Sequence, residues 1–113
     1  MEEMIKSVLR YAKDNPEGFT LDINSMKPVK FGICVAYIET QNCHGEDGIK
    51  KAIEHARLHN NIVGGWLDEG GMLYYFDSVK VFPNKQMKEA IDFAKTNKQY
   101  AIFDLTNLKE IIL

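Results

Sequence analysis

The sequence predicts an α+β fold, and three observations carry that prediction. Apolar residues recur with helical period in three segments, alternate or run continuously over short stretches between them, and are joined by brief connections rich in Gly, Pro, Asn and Asp. A chain of 113 residues has room for one core of ordinary size, so residues 1–113 read as a single domain that needs no metal or disulfide staple.

The elements follow in order. Met4, Ile5, Val8, Leu9 and Ala12 share one side of a 3.6-residue period, and Asn15-Pro16 with Gly18 marks a stop, which predicts a helix over 2–14. Phe19 to Ile23 alternates with period two and reads as a short edge strand, followed by a turn-rich stretch to Pro28. Phe31 to Ile38 is almost continuously apolar, as expected of a central strand covered on both faces. From Glu46 to about Asn60, Ile49, Ala52, Ile53 and Ala56 form the stripe of an amphipathic helix with acids in its first turn. Strands at 62–67 and 72–82 flank Asp68-Glu69-Gly70-Gly71 and predict a β-hairpin. Met87, Ala90, Ile91 and Ala94 mark a helix over about 85–97, Tyr100 to Leu105 reads as a strand, and 108–113 as a further short strand or a packed tail.

From residue 31 the order is strand, helix, strand, strand, helix, strand. This is the ferredoxin-like βαββαβ arrangement, preceded by a helix and an edge strand. The alternative is a different mixed five-stranded sheet packed by helices, with 18–23 paired to 31–38 as a hairpin. No internal repeat is expected.

Composition narrows the function classes. Fourteen basic against sixteen acidic residues give a net charge of -2, which disfavours nucleic acid as a partner. The start has no signal-peptide pattern, and the longest apolar run falls far short of a membrane span. Two cysteines, Cys34 and Cys43, match neither a disulfide framework nor paired CxxC metal spacing. A soluble, cytoplasmic protein with reduced thiols and no membrane association is the expectation.

Several groups of residues invite chemical roles. Thr40 to Gly48, TQNCHGEDG, joins a strand to a helix start, where Asn42 and Cys43 can meet a ligand and the helix terminus can lower a thiol pKa or attract an anion. The phosphate-loop pattern is absent, because Gly45 and Gly48 are followed by Ile49 before Lys50. His55 and His59 have the helical spacing of two metal ligands, yet the Glu precedes the first His, so the zinc-protease order is missing. Glu39, Asp77 and Asp104 stand in or beside strands, where carboxylates are disfavoured, and together can hold a divalent metal, with His44 as proton carrier. Trp66, Tyr74 and Tyr75 concentrate aromatic surface on the hairpin, where successive residues point to opposite faces. The basic-Gly-aromatic signature of an RNA-binding sheet is missing at 72–79.

Every catalytic pattern is incomplete. The leading expectation is therefore a small module, more a binder than an enzyme, that docks a protein partner or a second copy of itself through a sheet edge and the aromatic patch. No cofactor is expected for it. The alternatives are a metal-dependent hydrolase-type enzyme using Glu39, Asp77 and Asp104 with His44, and a small-ligand or nucleotide binder at the 41–48 loop.

Overall fold

The computed structural model describes every residue except Glu69, which belongs to the predicted hairpin connection and lies outside the described residues. The elements run α1 (Glu2–Asp14), β1 (Phe19–Asp22), β2 (Lys27–Pro28), β3 (Ile33–Ala36), α2 (Gly45–Arg57), β4 (Ile62–Leu67), β5 (Tyr74–Phe82), α3 (Met87–Thr96), β6 (Ala101–Asp104) and β7 (Lys109–Ile112). Short 3-10 turns occupy Ile38–Thr40 and Asn84–Gln86. The strands form one sheet in the order β2-β1-β4-β5-β3-β6-β7, and every adjacent pair is antiparallel.

The fold is α+β, but the five-stranded mixed alternative is overturned, because seven antiparallel strands take part. Residues 18–23 do not pair with 31–38. Leu21 faces Pro28 of β2 on one side and Val63 of β4 on the other. The predicted edge strand β1 is thus an inner strand, and β2 and β7 are the edges. The middle position belongs to β5 rather than to 31–38. The apolar run at β3 reflects its place between β5 and β6, whereas Phe31, just before it, is 73% exposed.

All three helices cover one face of the sheet. Val8, Ala12, Ile49, Ala52, Ile53 and Ala56 pack on Leu21, Val63 and Phe76, while Ala90 and Ala94 pack on Ile33, Val35, Phe82 and Ile102. Small alanines on the contact stripe let the helix backbones approach the sheet closely. Phe76 and Phe82 are an even number of residues apart on β5, so they point to the same face.

The elements also repeat, against the expectation of no internal repeat. A helix, a strand and its antiparallel neighbour recur three times, as α1-β1-β2, α2-β4-β5 and α3-β6-β7. The helices carry matching stripes: Val8-Leu9-Arg10-Tyr11-Ala12-Lys13, Ala52-Ile53-Glu54-His55-Ala56-Arg57 and Ala90-Ile91-Asp92-Phe93-Ala94-Lys95. In each unit an Asp closes the first strand, and its Oδ1 accepts backbone N–H groups of the turn. Asp22 accepts from Asn24 and Ser25, Asp68 from Met72 and Leu73, and Asp104 from Asn107.

The sheet is strongly curled. Val29 still bonds Thr20 of β1, while Gly32 already bonds the residues that follow β6, so three residue steps cross from the position of β2 to that of β3. Four strand spacings on a flat sheet would be about 19 Å, and three steps reach only about 10 Å. The helix-free side must therefore close on itself, which brings Thr20 of β1 close enough to Cys34 of β3 to pull its thiol pKa down against burial.

Candidate functional site

The helix-free side of β4 and β5 gathers aromatic and acidic groups. Trp66 faces Tyr75 and Gly64 faces Asp77 across the two strands. The Trp66 and Tyr75 rings stack at 5.4 Å between centroids, and His44 meets Tyr75 edge-on at 5.8 Å. An isolated bridge between His44 and Tyr75 fixes that corner. Trp66 remains 42% exposed, so the stacked pair is an ordered aromatic surface in contact with water.

Two residues along β5 from Tyr75, Asp77 is only 9% exposed. Burial pushes its carboxyl up from 3.8 to about 7, and its own backbone N–H is the one group that pulls it back. Gly64 explains how the carboxyl fits, since a Cβ there would stand 2.6 Å from Asp77 Oδ1. On the opposite face, a Cβ at Gly65 would strike the Phe19 ring at 2.5 Å. Neighbouring glycines in a strand thus mark close approach from both sides. Cys34, from β3, is pushed up to about 12 by burial and by the Asp77 charge.

Tyr74 does not join this surface. It points under α1, stacks on Phe76 at 5.1 Å and donates its hydroxyl to the Asn15 carbonyl at 2.7 Å. Tyr74 and Tyr75 thus take opposite faces, as the period of two predicts, and Tyr75 is the one that joins Trp66.

The carboxylates expected to share a metal are also separated. Glu39 sits in the 3-10 turn after β3 and lies 3.4 Å from His55 Nε2 on the helix side. Asp77 faces the other side. Asp104 ends β6, where Asn84 and Asn107 donate to it at 3.0 and 2.7 Å and hold its pKa below the ordinary value. Among the described residues no three His, Cys, Asp or Glu side chains converge on a metal position. This corrects the expectation of a Glu39, Asp77 and Asp104 centre, and His44 lies against Tyr75 rather than beside such a centre.

His55 and His59 stack face to face at 3.8 Å. His59 Nδ1 bonds the His55 carbonyl at 2.7 Å, and His55 Nδ1 bonds Ser78 Oγ at 2.8 Å, so the rings do not converge as metal ligands. The Ser78, His55, Glu39 series resembles a nucleophile, base and orienting acid, and no sequence spacing announces it. Ser78 is fully buried, which denies a substrate access and leaves the series as a tether between β5, α2 and the turn.

In the 41–48 loop, Asn42 is exposed in a left-handed conformation with φ 64. Cys43 is half-buried, and its thiol is pushed up by desolvation, only partly opposed by Lys51. The expected lowering of its pKa is therefore corrected. Beside the start of α2, an open depression of about 500 Å³ is bordered by Lys6, Arg10 and Lys13 of α1 and by Gly45, over a floor that includes Tyr74 and Phe76.

Compared with known proteins, the chain matches no family model, no curated protein and no solved structure. No described helix is long and apolar enough to cross a membrane. The surfaces themselves are then the basis for a functional reading.

Proposed function

We propose that this chain is a small cytoplasmic binding module, not an enzyme, that docks a protein partner on the helix-free side of the β4–β5 hairpin. Four of its strands, in the order β6-β3-β5-β4, support a ferredoxin-like reading of the fold, with β1, β2 and β7 added at the flanks. The observation that carries the docking reading is the stacked Trp66–Tyr75 pair, with Trp66 exposed and the half-buried Tyr75 held by His44. Rigid aromatic side chains of this kind supply a large contact area at small entropic cost and dominate binding energy at interfaces. Leu73, 38% exposed on the same hairpin, extends the apolar surface.

The test is partner capture with tagged wild type against Trp66→Ala and Tyr75→Ala, with folding checked by circular dichroism. A partner retained by the wild type and lost from both folded variants supports docking here. An unchanged set of partners refutes it.

A second reading is favoured by the depression beside α2. A ligand with an anionic group and an apolar body would place its charge near Lys6, Arg10 and Lys13 and its body on Tyr74 and Phe76. Thermal-shift measurements with nucleotides and aromatic phosphates would detect it as a rise that Arg10→Glu abolishes. A flat response across that panel removes this reading.

A further inference from the structure

Among the described residues, the helix-free side holds an acid without a counter-ion. Asp77 is nine-tenths buried, and no Lys or Arg is among the groups that set its protonation. Buried charges are ordinarily paired. Thr20 and Cys34 flank this side from β1 and β3, Cys43 senses the Asp77 charge from the loop, and directly opposite Asp77 β4 presents the bare Gly64. Among the described residues no side-chain oxygen is both sealed from solvent and without a partner. Among the described residues no other residue bonds the carboxyl, and Asp77 retains 9% exposure.

Its neighbours complete a recognisable chemistry. Tyr75 and Asp77 point to the same face of β5, and Trp66 is the cross-strand partner of Tyr75. Diagonal neighbours on such a pair lie about 7–8 Å apart, within reach of one long side chain. A planar guanidinium can stack on an aromatic face and direct charge-assisted hydrogen bonds at a carboxylate.

We infer that this surface takes an arginine side chain of the docking partner, stacked on Trp66 with its N–H groups directed at Asp77. The inference rests on the docking reading and names the chemistry of the partner. The ligand enters as a cation, so Asp77 must ionise to receive it.

Trp66 is the only tryptophan in the chain, so its fluorescence reports the site. The probes are N-acetyl-arginine amide and its neutral counterpart N-acetyl-citrulline amide, titrated at pH 8.5 and pH 5.5. The expected result is a saturable change with the arginine probe that is at least tenfold weaker with citrulline. With the acid titrating near 7, about 3% of it is ionised at pH 5.5, so apparent affinity should fall roughly 30-fold from pH 8.5. Folded Asp77→Asn should lose the preference for arginine. Equal response to both probes, an undiminished response in Asp77→Asn, or no saturable change overturns the inference. The two proposals separate in the capture experiment: if Trp66→Ala loses the partner while Asp77→Asn keeps it, docking stands and the arginine assignment falls.

Discussion

Replacing Asp77 by Asn keeps the shape of the side chain and removes its ionisation. The native carboxyl titrates near 7 because burial, with no cation to offset it, disfavours the charged form. In the unfolded chain it returns to about 3.8. The folded state then binds the proton more tightly than the unfolded state. The resulting stability is fully present below 3.8, declines as pH rises between 3.8 and about 7, and is lost above that. The gap corresponds to on the order of 4 kcal/mol. The amide introduced by Asp77→Asn carries no such dependence, so the stability of this variant relative to wild type should increase by on the order of 4 kcal/mol between pH 4 and pH 8.5. Urea unfolding at a series of pH values, followed by circular dichroism and Trp66 fluorescence, measures the difference directly. Taking the difference between the two proteins cancels titrations elsewhere, His55 on the opposite face included. Parallel pH profiles for the two proteins would show that Asp77 is not desolvated and would refute the reasoning.

Other consequences can be measured independently. Gly64→Ala should cost about 1–3 kcal/mol through its contact with the Asp77 carboxyl, and less in an Asp77→Ala background; equal costs in a double-mutant cycle would disprove the contact. Phe76→Ala, at the centre of the core shared by α1, α2, β1 and β4, should destabilise the fold by about 3–5 kcal/mol in chemical denaturation, and a loss under about 1 kcal/mol would contradict that placement. Cys34 should resist aromatic disulfide reagents at pH 8 until the protein unfolds, while Cys43 reacts first; labelling of Cys34 at the rate of a free thiol would be inconsistent with its burial. His55 should titrate below 6.5 by NMR, because desolvation and the adjacent His59 oppose its charge. Its contribution to stability is then present above 6.5 and lost as pH falls through its folded value, and a midpoint above 6.5 would contradict the geometry.

The helices and the β4–β5 hairpin were legible because each is amphipathic on its own scale. Ala52 and Ile53 need only α2 to declare their face, and the opposite directions of Tyr74 and Tyr75 follow from strand period alone. Sheet order was less legible, since β2 is two residues long and carries Pro28, so nothing local distinguishes β1 as inner from β1 as edge. The threefold repetition stayed hidden because β3 and its turn separate the first unit from the second, and because each stripe changes its residues while keeping their size class. Carboxylates are disfavoured in strands, which marks Glu39, Asp77 and Asp104 in the sequence, but whether they group depends on the faces they take. Glu39 leaves the strand in a 3-10 turn toward α2, Asp104 caps a turn, and only Asp77 is drawn into the curled side. Gly64 is the local signal of the enclosed carboxyl, since a glycine within a strand marks the place where another group comes close.

On this account the Trp66 side of the hairpin is where the protein meets its partner. Photo-cross-linking in the native host cell tests that most directly, with p-benzoylphenylalanine in place of Leu73 beside the aromatic pair, or in place of Leu58, which is 83% exposed at the end of α2. A discrete cross-linked partner from position 73 and none from position 58 is the predicted result. Cross-linking from position 58 alone would place the interface on the helices and contradict the account.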